Sequence, residues 1–220
     1  MTLRKKDTAR CRTMFKEMKI KICGLRDNFE EVLALKPDFA GLIFYPKSPR
    51  YVGNSEDVAL RQKLTNGTKK VGVFVNEQYD QILASVRDYN LDLVQLHGAE
   101  TPEFCAKIRQ QIPVIKAFGI TGDKDLEAVA DYAQVVDYLL FDTKTTGYGG
   151  SGQKFDWSVF DRIPIPQKFL LSGGISLDDI PTVKNLKINN FVGVDLNSKF
   201  ETAPGMKDIK KLSEFFKLIE

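Results

Sequence analysis

Histidine is nearly missing from this chain: His97 is the only one among 220 residues. Zinc bound by clustered His and Cys needs several ligands at short spacing. Three scattered cysteines, Cys11, Cys23 and Cys105, with no C-x-x-C pair, do not supply them. Their odd number also argues against a disulfide framework and for a reducing, cytoplasmic compartment. No apolar run approaches the ~18 residues of a membrane span. The first seventeen residues are basic and polar and lack the apolar stretch of a secretory signal. A net charge of +3 gives no basis for a nucleic-acid or membrane partner. A G-x-G-x-x-G turn follows none of the apolar runs, so the signature of a dinucleotide-binding open sheet is absent too.

What is present is alternation. From Met18 onward, short apolar or β-branched runs at 19–23, 39–44, 70–75, 91–96, 114–118, 138–142, 168–172 and 191–196 alternate with segments of helical spacing. The helical segments begin near Asn28, Ser55, Glu77, Thr101, Asp123, Asp156, Ser176 and Lys207. Thr101-Pro102-Glu103 places a cap before a proline at the first helical position, and Ser176-Leu177-Asp178-Asp179 has the capping-box form. Parallel strands need crossover connections, and eight right-handed units close into a (β/α)8 barrel, the α/β TIM-barrel fold. The expected organisation is a flexible extension over 1–17 and one barrel domain over 18–220.

Barrel enzymes place their chemistry where strands end and βα loops begin. There the sequence puts Cys23 after strand one, His97 after strand four and Asp142 after strand six. Ser172-Gly173-Gly174 follows strand seven, and Asp195, Asn197 and Ser198 mark the end of strand eight. An acid and a thiol at one mouth can move protons as a pair. Glycine-bearing turns after strands seven and eight are candidate phosphate cradles. Taken alone, each residue has a plainer reading: a buried thiol, a loop cap, turn glycines. Arg50, between two prolines and a tyrosine, suits a bidentate carboxylate or a solvated rim. The glycine-rich stretch 147–154 lacks the lysine and Ser/Thr of a nucleotide P-loop and reads as a loop that closes over the site.

Read together, several segments resemble the phosphoribosylanthranilate isomerase family. They are Lys21-Ile22-Cys23-Gly24, Phe44-Tyr45-Pro46-Lys47-Ser48-Pro49-Arg50-Tyr51, Val94-Gln95-Leu96-His97-Gly98, Phe141-Asp142-Thr143-Lys144 and Leu171-Ser172-Gly173-Gly174. The resemblance spans Met18 to the C-terminus. It implies an Amadori rearrangement of N-(5-phosphoribosyl)anthranilate in tryptophan biosynthesis, with no metal or organic cofactor. By the same resemblance Asp142 is the general acid, Cys23 the general base and Arg50 the carboxylate holder. His97, Ser172, Gly173, Gly174, Asp195, Asn197 and Ser198 contact the substrate. One position departs from the family pattern: after strand eight, Lys199 stands where the family often has glycine. Monomer and homodimer both remain open. The rivals are another phosphate-binding barrel, a Schiff-base lyase using Lys21 or Lys116, and a binding barrel without catalysis.

Overall fold

A computed structural model describes residues 18–53, 67–143 and 156–219. The extension over 1–17, the helix expected near Ser55 and the glycine-rich stretch 147–154 lie outside the described residues. Eight parallel strands close into a barrel in sequence order, the last pairing with the first. They are β1 (Lys19–Cys23), β2 (Phe39–Ile43), β3 (Lys69–Phe74) and β4 (Leu93–Leu96), followed by β5 (Val114–Ile120), β6 (Tyr138–Thr143), β7 (Phe169–Leu171) and β8 (Phe191–Leu196).

The described α-helices are α1 (Phe29–Ala34), α2 (Tyr79–Tyr89), α3 (Pro102–Arg109), α4 (Lys124–Glu127), α5 (Val159–Arg162), α6 (Ile180–Asn185) and α7 (Ile209–Ile219). Thr101 caps α3 as expected, its side chain accepting from Phe104 N. One helix is cut short by proline: Pro164 drives Ile163 to extended backbone and ends α5. Pro181 sits in the first turn of α6, which follows a 3-10 turn at Leu177–Asp179. The segment after β8 departs further from expectation. Pro204-Gly205 folds β9 (Glu201–Ala203) against β10 (Met206–Lys207) as a short antiparallel hairpin, so the last helix starts at Ile209.

Strand alternation fixes what lies inside the barrel. Phe39, Val71, Leu93, Ile115, Ala117, Leu140 and Leu170 form an inner apolar plug, while the larger core fills the space between strands and helices. Two residues beyond members of the plug, on the same inward face, come Gly41, Val73, Gln95, Asp142 and Ser172. That step of two builds the mouth. Phe169, on the outward face of β7, is fully buried with its ring centroid 5.3 Å from Phe141 and 5.1 Å from Phe160. Phe169→Ala should destabilise the barrel by ~3–5 kcal/mol, measured by urea denaturation; a loss under ~1 kcal/mol would contradict this packing.

Candidate active site

One cavity, about 540 Å³ up to its open mouth, is lined by Cys23, His97, Asp142, Ser172, Gly173, Gly174, Asp195, Asn197, Ser198 and Lys199. Every candidate from the sequence is therefore brought together except Arg50, which does not line it. Lys21 and Cys23 point inward from β1. Gly41, their neighbour on β2, leaves them room: a Cβ there would sit 3.0 Å from Cys23 Sγ and 3.1 Å from Lys21 Nζ. Lys21 Nζ donates to Asp195 Oδ1 at 2.9 Å, joining β1 to β8 inside the barrel.

Asp142 holds its proton to higher pH than a free aspartate. Burial first, then the nearby Asp195 carboxylate, pushes the Asp142 carboxyl up to about 6, against the pull of Thr143 N–H, Lys21 and Ser172. Thr143 N donates to Asp142 Oδ1 at 2.8 Å. Gly173 is required beside it. Its φ is +88°, and a Cβ would lie 2.3 Å from Thr143 Oγ1 and 3.1 Å from Asp142 Oδ1.

The thiol faces the opposite problem. Burial raises Cys23 above the ordinary thiol value and Asp195 adds to this, although Lys21 and Lys207 pull the other way. Lys21 itself stays an ammonium: burial works against it, but Asp195 and Cys23 outweigh burial and hold it above its usual value. His97 is neutral, because burial, then Lys116 and Lys21, push it down to about 4. The 3.8 Å between His97 Nε2 and Asp142 Oδ2 is thus a polar contact and not an ion pair.

At the β7 end, Gly173 and Gly174 both take positive φ, +88° and +68°, a backbone that glycine adopts without strain, and both line the cavity. The chain then enters the short 3-10 turn and a six-residue helix, so the candidate donors are loop amides rather than the end of a long helix. Lys199 is exposed and faces the same cavity.

Arg50 lies in a neighbouring cluster. Its Nε and Nη2 grip Glu201 at 2.9 and 2.6 Å, and Lys207 Nζ donates to Glu201 Oε1 at 2.8 Å. The expected carboxylate partner of Arg50 is thus supplied, in this structure, by the chain itself. Sequence reasoning missed Gln95, buried on the cavity wall with Oε1 unpaired, and buried Lys207, whose Nζ donates at 2.9 Å to Asn197 of that wall. The Pro-Gly dipeptide at 204–205 was the available signal for the hairpin that carries Lys207. Among the described residues no three His, Cys, Asp or Glu side chains are grouped to hold a metal ion, and no helix is long and apolar enough to cross a membrane.

The closed barrel and its polar mouth define a (β/α)8-barrel enzyme. Its family is given by comparison with known proteins. The model of the family described as N-(5'phosphoribosyl)anthranilate (PRA) isomerase matches residues 20–218, and the chain belongs to that family. It is 43% identical over 209 residues to an N-(5'-phosphoribosyl)anthranilate isomerase of Parabacteroides distasonis, covering 92% of this chain and 93% of that one. The crystal structure of phosphoribosyl anthranilate isomerase from Thermotoga maritima superposes with a TM-score of 0.80 at 35% identity, covering 92% of this chain and 98% of that one. A further isomerase structure, in complex with reduced 1-(o-carboxyphenylamino)-1-deoxyribulose 5-phosphate, gives 0.77 at 32% identity, with the same coverage of both chains.

The raised acid has a consequence for stability. Between the ordinary aspartate value and about 6, the folded chain keeps a proton on Asp142 that the unfolded chain has released. Stability therefore falls as pH rises through that window, and above it the ionised carboxylate costs on the order of 3 kcal/mol. Asp142→Asn should raise the melting temperature at pH 7.5 by roughly 5 °C or more, with the gain gone near pH 4. Calorimetry at the two pH values checks this, and equal melting temperatures at pH 7.5 would count against a raised acid.

Proposed function

We propose that this chain converts N-(5-phosphoribosyl)anthranilate into 1-(2-carboxyphenylamino)-1-deoxyribulose 5-phosphate, a step of tryptophan biosynthesis, with Asp142 as acid and Cys23 as base. The observation that carries the residue roles is a carboxyl pushed up to about 6 that shares one cavity with an inward-facing thiol. Asp142 gives its proton to the furanose ring oxygen as the C1′–O bond breaks, leaving a protonated Schiff base. Cys23 then takes the proton from C2′. The electron pair moves into the C1′–C2′ bond and neutralises the iminium, and the enolamine tautomerises to the ketone. The glycines after β7, with Asn197, Ser198 and Lys199, face the phosphate.

With Asp142 near 6 and Cys23 higher, the resting site holds carboxylate and thiol. The reactive form is its proton tautomer, acid and thiolate, whose share is constant between the two values. Bound phosphate and carboxylate raise Asp142 further, and the iminium lowers the thiol, so the substrate itself shifts the balance. Lys21 and Lys116 do not suit a Schiff-base lyase. Lys21 is an ammonium held by Asp195, and Lys116 Nζ is spent on Glu100 and three backbone carbonyls, those of Leu96, Gly98 and Ala117. Two buried free cysteines, Cys23 and Cys105, support a reducing, cytoplasmic setting. The proposed partner is this one small substrate, and the chain acts as a monomer or homodimer.

The test monitors loss of anthranilate fluorescence after adding enzyme to freshly generated phosphoribosylanthranilate. Turnover should be well above background. Cys23→Ala and Asp142→Asn should each lower it by ~10² or more with the fold retained, and no acceleration by the parent chain would overturn the reading. In the same assay kcat/KM should rise through about pH 6, stay level, and fall only above the ordinary thiol value. A profile with no limb near 6 would remove Asp142 from its role.

A further inference from the structure

Cys23 has a second buried cation near it, contributed from outside the barrel wall. Lys207, on β10, has a fully buried side chain. Its Nζ donates to Glu201 Oε1 at 2.8 Å and to Asn197 Oδ1 at 2.9 Å. The link to the thiol is Gly24. With φ at +73° it packs so closely that a Cβ would lie 2.8 Å from Asn197 Oδ1 and 2.5 Å from Arg50 Cδ. The ammonium therefore stands one Asn197 oxygen away from the residue next to Cys23 in the chain. Lys207 is fixed there from both ends, since its backbone N–H and C=O are each held by the Asn28 side chain at 2.9 Å.

The charges around the thiol show what this cation adds. Lys21 and Asp195 cancel as a buried pair, and on β5 and the loop after β4 Lys116 and Glu100 do the same. His97 is neutral. Glu201 is already neutralised by the two-pronged grip of Arg50, so the trio Arg50–Glu201–Lys207 retains one positive charge. Lys199 is exposed at the rim, facing the proposed phosphate. With Asp142 protonated, as its role requires, a thiolate at Cys23 brings this buried group of charges to neutrality.

We infer that Lys207 is a positioning residue for the base, a cation locked behind Gly24 by Glu201 and Asn197 that favours the thiolate of Cys23. Its field acts in a water-poor wall, where it is screened far less than a surface charge. Burial lowers Lys207 itself, whereas Glu201 and Cys23 counter that pull. The inference rests on the proposed reaction only for its kinetic part, because the thiol can be examined without substrate.

The experiment measures iodoacetamide labelling of Cys23 against pH, resolved by peptide mass spectrometry, in the full chain and in Lys207→Met and Lys207→Gln. Lys207→Gln keeps a hydrogen-bond donor for Asn197 or Glu201 and removes the charge. Both variants should show the Cys23 thiolate fraction at a given pH reduced about tenfold. The kcat/KM plateau should fall by a similar factor, and its upper limb should move to higher pH while KM changes little. A labelling curve unchanged in Lys207→Gln overturns the inference, even if activity is lost or Lys207→Met behaves differently, because contacts and not charge would then be responsible. If Lys207→Met does not fold, Lys207→Gln decides alone. A shifted curve in a chain that shows no isomerase activity would sink the proposed reaction and leave the thiol's dependence on Lys207 standing.

Discussion

The buried ion pair between Lys21 and Asp195 is the contact on which the rest of the mouth depends. It is paired in strand register, so it closes the barrel seam between its first and last strands from the inside. Two buried charges tolerate each other only as a pair, and removing one partner would leave the other stranded at a cost of about 3–5 kcal/mol. The pair also sets the tone of the site. The Asp195 carboxylate, after burial, helps raise the Asp142 carboxyl, and the Lys21 ammonium lies against the thiol across the space that Gly41 leaves open.

The proposed acid and base thus both feel one salt bridge, whose Asp195 end raises each group and whose Lys21 end lowers each. Asp142 sees mainly burial and a like charge, and its carboxyl rises to about 6. Cys23 sees burial, one anion and two cations, and its thiol remains above the ordinary value. In the proposed reaction neither group rests in the state its task demands, and the substrate supplies the missing charges. A phosphate and a carboxylate favour the protonated acid, and an iminium favours the thiolate.

Much of this is legible in the sequence because strand geometry is simple. With eight strands marked, a step of two residues leads from Leu140 to Asp142, from Leu170 to Ser172 and from Lys21 to Cys23, all on one face. What cannot be read there depends on contacts between residues far apart in the chain. The grip of Arg50 on Glu201 spans 151 positions and exists because Pro204-Gly205 folds a hairpin back over the rim. Lys207 reads as the start of a helix, since a two-residue strand leaves no periodic trace. The neutrality of His97 comes from burial and from Lys116 and Lys21, none of which its neighbours in sequence reveal. The end of α5 is legible in principle, because Pro164 is in plain view.

Cys23 and Asp142 both sit on strands, whereas Gly174, Ser198 and Lys199 sit on connections. The proposed reacting pair is therefore part of the wall that holds the molecule together, and the groups proposed to face the phosphate are not. Over evolutionary time these two layers are free to change at different speeds. A connection can change its residues without disturbing the strands beneath it, while almost any change to the paired strand ends would have to satisfy folding and the proposed proton transfer at once.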